Sequence, residues 1–294
     1  MTIVHDFEYA RPSSLEDAVE LLERTGARVL AGGTDVVPWL RDDLIEPTLL
    51  VDIKAIPGLA DIGLGGTRMT IGALVTFSEL AASSLVHDHA PMLAEMAGQV
   101  ASIGVRNRAT VVGNLCSAVP SLDAGPALMV YDAAVEVTGT EGNRLIPLED
   151  WFVGPRSTRL RAGDVATGIR LALPPLDHAA AFLKLARYSG EDLAQANLAV
   201  VATVDRRYRL AFGAVAPTPV RARSIEDMLE GRELDDSAVE AALLLVADEI
   251  APITDIRATA EYRNHMCRVM LRRGLQAVND RLSGAGPAYG THLI

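Results

Sequence analysis

Two segments of this 294-residue chain carry residues whose types and spacing could do chemistry. The first is Ala31-Gly32-Gly33-Thr34-Asp35, which follows the apolar pair Val29-Leu30 and leads into Val36. Consecutive glycines let a backbone approach a ligand closely, and a helix N-terminus offers unpaired N–H groups to an anion. Together they suit a diphosphate. The same residues also fit a tight strand-to-helix turn capped by Thr34 or Asp35, with no ligand. The spacing matches neither Gly-x-Gly-x-x-Gly nor a Walker A loop, which argues against a Rossmann dinucleotide site and an NTPase. The second segment runs from Arg106 through Thr110-Val111-Val112-Gly113-Asn114, with Pro120-Ser121-Leu122-Asp123 shortly after. Positions 104–114 read as a Gly/Asn/Arg-rich loop, long for a mere connector. Asn107, Thr110, Asn114 and backbone N–H groups could line a cofactor, and Asp123 could accept from a ring N–H or a ribose hydroxyl. The alternative is a self-satisfied surface Ω-loop.

Other chemistries find less support. Six histidines, His5, His87, His89, His178, His265 and His292, show no metal-ligand spacing. Gly-x-Ser-x-Gly is absent and no triad order is visible, so no residue is assigned a catalytic role and no metal site is expected. The two cysteines, Cys116 and Cys267, are too few and too distant to hold an iron–sulfur cluster. Lys+Arg 27 against Asp+Glu 38 gives a net charge of −11, which disfavours generic nucleic-acid or anionic-membrane binding. No apolar run approaches a transmembrane span, and the start, Met1 to Asp6, lacks the pattern of a signal peptide. A soluble, cytoplasmic protein is expected.

The elements that must position these residues can be read from periodicity. Ser13 to Glu16 reads as a capping box opening a helix with Leu15, Ala18, Val19 and Leu22 on one face, stopped near Gly26. Strands are expected at Arg28 to Ala31 and Thr48 to Ile53, with a short helix from Val36 between them, a βαβ-like lobe. Hairpins are expected around Gly65-Gly66 and Glu141-Gly142-Asn143, helices at Phe77 to Ala82 and Pro91 to Val100, and a closing strand at Val165 to Leu173. Pro174-Pro175 marks a boundary, giving domains 1–175 and 176–294. Beyond it, three antiparallel strands (Ala179 to Arg187, Leu198 to Val204, Tyr208 to Val215) precede helices at Ile225 to Leu229, Ser237 to Ile250 and Ala258 to Arg281. The expected class is α+β: a two-part first domain, with a βαβ-like lobe and an antiparallel sheet with helices, then a domain of three-stranded sheet and helices.

At this level the chain resembles the FAD-binding medium subunits of the molybdenum hydroxylase family, which includes xanthine dehydrogenase and carbon monoxide dehydrogenase. Five ordered motifs carry the resemblance: Phe7 to Ser14, Ala31 to Asp35, Ala109 to Asn114, Lys184-x-x-Arg187-x-x-x-x-Asp192-Leu193-Ala194, and Asp255 to Arg263. The resemblance implies that Val29, Leu30, Ala31, Gly32, Gly33, Thr34, Asp35 and Val36 wrap the FAD diphosphate and ribityl chain. It implies that Ala101 and Thr110, Val111, Val112, Gly113 and Asn114 form the opposite side of the channel, with Asp123 against the flavin. Lys184 would reach the isoalloxazine from the second domain. Val112 stands where the family carries a glycine, and a β-branched residue would be strained there if φ had to be positive.

The resemblance further implies an oxidoreductase subunit active only within a complex. Its partners would be a molybdopterin-binding large subunit and a [2Fe–2S] small subunit, in a dimer of heterotrimers. Electrons would pass from the clusters to FAD and on to NAD, O2 or a quinone. Two alternatives stand beside this: a self-sufficient FAD-dependent oxidase, and an FAD-less assembly scaffold.

Overall fold

The computed structural model describes residues 3–174, 177–188 and 192–294. It opens with a three-stranded parallel sheet. β1 (Glu8–Ala10), β2 (Ala27–Leu30) and β3 (Leu49–Asp52) lie in the order β1-β3-β2. α1 (Leu15–Leu22) follows β1 and buries Ala18, Val19 and Leu22. Its cap is Ser14, which accepts from the Asp17 N–H, so the cap sits one residue later than the Ser13–Glu16 box suggests. α2 (Val36–Arg41) follows β2 as expected. β1 is absent from the sequence reading because three residues are too few to show a period.

Next comes a five-stranded antiparallel sheet in the order β4-β5-β10-β6-β7. Its hairpins are β4 (Ile62–Gly65) with β5 (Arg68–Gly72), and β6 (Ala134–Gly139) with β7 (Gly142–Pro147). Between the hairpins run α3 (Phe77–Ala82), α4 (Ser84–His89), α5 (Pro91–Gly98), α6 (Ile103–Arg106), α7 (Val111–Ser117) and α8 (Ala124–Met129). After β7 come α9 (Leu148–Trp151) and the small hairpin of β8 (Phe152–Gly154) and β9 (Ser157–Thr158). β10 (Val165–Ala172) closes the sheet between the hairpins. The expected loop over 104–114 is corrected here: α6 lies within it and α7 begins in it. Ser102 caps α6 and Thr110 caps α7, and Val111, Val112 and Leu115 give α7 an apolar face. Gly113 and Asn114 suggest a turn by composition but stand in the helix's first turns.

The last stretch is a sheet of β11 (His178–Leu185), β12 (Ala196–Thr203), β13 (Tyr208–Gly213) and β14 (Val220–Arg221), then α10 (Arg223–Leu229), α11 (Asp236–Glu249) and α12 (Ala260–Leu282). The three expected strands are present, and two-residue β14 extends them at one edge. The expected boundary at 175/176 lies outside the described residues. Side chains alternate along these strands. Ala179, Ala181 and Leu183 pack with Met270, Leu271 and Leu275 of α12 in a second core. Ala180, Phe182, Ala199, Val201 and Ala211 face the other way and join the first core. A sheet buried on both faces reads as a continuous apolar run, and every residue of β12 is buried.

The free edge of β11 is also covered. Glu95 of α5 accepts from the Phe182 N–H at 3.0 Å, and the Ala180 N–H donates to the Tyr289 hydroxyl at 3.2 Å. Arg281 donates to Glu95 Oε1 at 3.1 Å and to the Ala180 carbonyl, and stacks over Tyr289 at 4.0 Å. The Glu95 side chain has no exposed surface and Arg281 only 5%. Removing one partner of a buried ion pair strands the other charge, at about 3–5 kcal/mol. Arg281→Met is therefore expected to lower unfolding stability by about 3 kcal/mol, read from urea denaturation.

Candidate functional site

A cavity of about 620 Å³ lies where the three stretches meet, within the range of cofactor sites. One wall is the turn between β2 and α2. The parallel strands end on the same side, so this turn occupies the carboxyl edge of the small sheet, where open parallel sheets bind ligands. Its two glycines do different work. Gly33 has φ +80°, which a side chain would strain. A Cβ on Gly32 would sit 1.9 Å from the Arg108 carbonyl oxygen, so only glycine lets the first segment press against the backbone leading into α7.

Hydrogen bonding separates the two readings of this turn. Asp35 occupies the N-cap position of α2 but caps nothing; it accepts from the Ser117 hydroxyl instead. Among the described residues, the N–H groups of Gly32, Gly33, Thr34, Asp35 and Val36 have no acceptor. A cap at Asp35 would have filled one of the donors at the start of α2, and its side chain makes no such bond. A set of converging, unfilled backbone donors is the chemistry an anion uses.

The second wall is α7. Thr110 Oγ1 accepts from the Gly113 N–H at 3.0 Å, the Val111 N–H donates to the Val75 carbonyl, and the Val112 N–H has no acceptor among the described residues. Val112 lies in a right-handed helix, not at positive φ, so the strain anticipated there does not arise. Of the expected site residues, Val29, Ala31 to Val36, Ala101, Thr110, Val112, Gly113, Asn114, Asp123 and Lys184 line the cavity. Leu30 does not line it, and Val111 is fully buried in the first core.

Asp123 and Lys184 meet at one end, the carboxylate from the start of α8 and the ammonium from β11. Their atoms are 2.7 Å apart; Lys184 also donates to the Gln99 carbonyl at 3.0 Å, and Asn197 Nδ2 donates to Asp123 at 3.0 Å. Burial pushes the Asp123 carboxyl above its ordinary range, with Lys184 and Asn197 pulling back against it.

The sequence reading missed several lining residues. Cys116 and Ser117 follow on α7, and Ser117 sits four residues after Gly113, a helical spacing hidden by reading a loop. Burial pushes the Cys116 thiol up to about 12, so it is a poor nucleophile at neutral pH. Arg28, Trp39, Arg156 and Arg161 also line the cavity, with the Arg156 guanidinium 5.6 Å from the Trp39 ring centre. They come from separate elements and share no motif. His5, Asp43 and Glu46 converge on the exposed surface, with His5 Nε2 2.9 Å from Asp43 and 3.5 Å from Glu46, an arrangement that ion pairing accounts for.

Beneath the first turn, Asp52 is held by Lys54 at 2.7 Å and by the Tyr9 hydroxyl at 2.5 Å. Burial works to raise its pKa, but the hydrogen bonds from Lys54 and Tyr9 outweigh it and hold the carboxyl below its ordinary value.

Facing glycine turn and helix, unfilled donors and a buried charge pair define a site with the chemistry to hold an anionic cofactor. Comparison with known proteins gives the family. A family model described as the FAD binding domain in molybdopterin dehydrogenase matches residues 5–174, and one described as the CO dehydrogenase flavoprotein C-terminal domain matches 180–278. The carbon monoxide dehydrogenase medium chain of Afipia carboxidovorans is 36% identical, over 94% of this chain and 97% of that one. The xanthine dehydrogenase FAD-binding subunit of Escherichia coli O157:H7 is 30% identical, over 95% and 97%. A chain of reconstituted CO dehydrogenase from Oligotropha carboxidovorans superposes with a TM-score of 0.92 at 35% identity, covering 95% of this chain and all of the other. The chain belongs to the family of FAD-binding medium subunits of molybdenum hydroxylases, which are oxidoreductase components.

Asp52 supplies a test of the turn's foundation. A carboxyl whose folded pKa lies below the unfolded value of 3.8 contributes stability that is present above 3.8 and lost as pH falls through the folded value. The Tm difference between wild type and Asp52→Asn should hold constant near neutral pH and shrink only below 3.8, read by thermal denaturation across pH.

Proposed function

We propose that this chain is the electron-transfer subunit of a heteromeric molybdenum hydroxylase. It takes electrons from [2Fe–2S] clusters on a small partner chain, and a molybdopterin-binding large chain carries out the hydroxylation. The terminal acceptor is NAD, O2 or a quinone. The observation that carries this is the cavity: unfilled backbone donors at one wall and a buried Lys184–Asp123 pair at one end. The cysteine inventory supports the division of labour, since Cys116 and Cys267 cannot ligate a cluster. The relatives' names include CO dehydrogenase, xanthine dehydrogenase and nicotine 6-hydroxylase, so the fold serves several substrates and the substrate site belongs to another chain.

The residues present fit FAD. Bound there, the flavin supplies the one- and two-electron chemistry, and the chain supplies placement and electrostatics. The N–H groups of Gly32 to Val36, with that of Val112, would meet the diphosphate. Val29, Ala101 and Asn114 would flank the cofactor. Lys184 and Asp123 would lie toward the isoalloxazine, where the fixed ammonium favours a more negative ring. Leu30 and Val111 support these walls from behind rather than touching the cofactor. The division into 1–175 and 176–294 is proposed with this, supported by the second hydrophobic core, which draws only on residues beyond 176. A dimer of heterotrimers in the cytoplasm is the assembly we propose, and no helix among the described residues is long and apolar enough to cross a membrane.

FAD is expected to be held without a covalent bond. Among the described residues, Cys116 is the one sulfur in the cavity lining, and its raised pKa leaves almost no thiolate to attack a flavin. Acid precipitation of the protein, alone or with its partner chains, should release all of the yellow colour into the supernatant; flavin retained in the pellet would contradict this.

Gly33→Val should empty the site. The substitution places a β-branched residue at φ +80°. Flavin content should fall at least about tenfold while far-ultraviolet circular dichroism stays near native. Normal flavin content in the variant would return Ala31 to Asp35 to a simple turn.

A further inference from the structure

Tyr9, Asp52 and Lys54 lie outside the cavity wall, yet they converge beneath the first glycine turn. The β1–β3 register sets Tyr9 opposite Leu50, and the β2–β3 register sets Leu30 opposite Asp52, so all three strands meet at one spot. The Tyr9 hydroxyl donates to Asp52 Oδ2 at 2.5 Å, and Asp52 Oδ1 holds the Lys54 ammonium at 2.7 Å. The Lys54 backbone N–H donates to the same carboxylate at 3.0 Å. The ammonium in turn donates to the carbonyl of Ala31 at 3.0 Å. None of Tyr9, Asp52 and Lys54 lines the cavity, whereas Ala31 and Gly32 do.

Among the described residues, that last bond is the one hydrogen bond the Ala31 carbonyl accepts. The Ala31–Gly32 peptide is trans, so its N–H points opposite its carbonyl. With the carbonyl held by Lys54, the Gly32 N–H points away from Lys54. Two successive glycines leave the turn unusually free to rotate, and an unanchored peptide there would sample both orientations. Asp52 limits the freedom of Lys54, and its side chain is only 4% exposed.

We infer that Lys54, held by Asp52 and Tyr9, is a positioning residue for the diphosphate of the cofactor: it orients the first N–H of the turn and sets a positive charge behind it. This rests on the reading of the cavity as an FAD site. The opening segment thereby contributes to the site from a distance, since Tyr9 completes the coordination of the carboxylate that holds the lysine.

The test is an FAD titration of the full chain, together with any partner chains with which it is isolated, after removal of bound flavin. Binding is followed by flavin fluorescence at ionic strengths from about 0.05 to 0.5 M, which spans weak to strong screening. Lys54→Met is expected to raise Kd roughly tenfold and to flatten its salt dependence, because a charge-assisted bond and a charge are both lost. Lys54→Arg should stay within about threefold of wild type, because the charge and a donor remain. Tyr9→Phe, which leaves both charges in place, should raise Kd about threefold without changing the salt slope. A Lys54→Met protein that binds FAD like wild type overturns the inference, and so does an equal loss in both lysine variants with an unchanged slope, which would mark a packing role. A wild-type protein that takes up no FAD at any salt overturns the FAD reading itself, and this inference with it.

Discussion

The sheet of β11 to β13 has no free face, and the site depends on that. Its two faces carry different residues because strand side chains alternate. Ala179, Ala181, Leu183, Leu198, Val200, Leu210 and Phe212 bury one face in the second core. The opposite face is largely alanine, joining the first core through Ala180, Phe182, Ala199, Val201 and Ala211. Small side chains let a helix approach a sheet closely, and the first core thereby gains a wall it could not make from its own residues. β11, the edge strand nearest α5, delivers Lys184 to the cavity as a consequence. A larger residue at Ala199 or Ala211 would push the sheet outward and carry Lys184 with it.

Charges at two points on β11 fix where along α5 the strand lies. Glu95 receives the Phe182 N–H and Arg281, and Lys184 reaches the Gln99 carbonyl one helical turn further along. Apolar contacts are non-directional and would tolerate a slide. A slip of one residue would exchange the faces of the strand. It would also part the Phe182 N–H from Glu95 and Lys184 from Asp123, in surroundings where an unpaired charge is costly. The ion pairs therefore contribute less to net stability than to a single alignment. That alignment brings a cation of one core to a cavity built on the other.

How much of this was legible in the sequence follows from what each feature leaves as a signal. The helices of the last stretch, the two hairpins and β10 show in periodicity and turn residues, and the structure has them. Gly32 and Gly33 stand out by type, but only the fold shows that one serves a close approach to Arg108 and the other a turn. The segment 104–114 misleads because Gly113 and Asn114 are turn formers by composition, while the Thr110 cap and the apolar face of Val111, Val112 and Leu115 decide for helix. The same misreading hides Ser117 and Cys116, which an α-helical period from Thr110 and Gly113 would have placed near the cavity. Val112 looks strained only until its backbone is known. Trp39, Arg156, Asn197 and Glu95 leave no pattern, since their roles arise from contacts between distant segments.

A chain of net charge −11 does not attract an anion by its overall field, so the site must work locally. Charges beyond roughly 8 Å are screened at physiological salt, and the surface carboxylates fall out of the balance. Within the cavity the acidic residues are engaged already: Asp123 with Lys184, Asp164 with Arg144, Asp192 with Arg187, and Asp35 with the Ser117 hydroxyl. Arg28 and Arg156 line the same cavity and have no ion-pair partner among the described residues. The backbone adds donors that carry no formal charge and cannot be titrated away. An anion entering there meets unfilled N–H groups and guanidinium groups without a carboxylate partner, while three of the four lining carboxylates are paired with cations and the fourth, Asp35, is turned to the Ser117 hydroxyl.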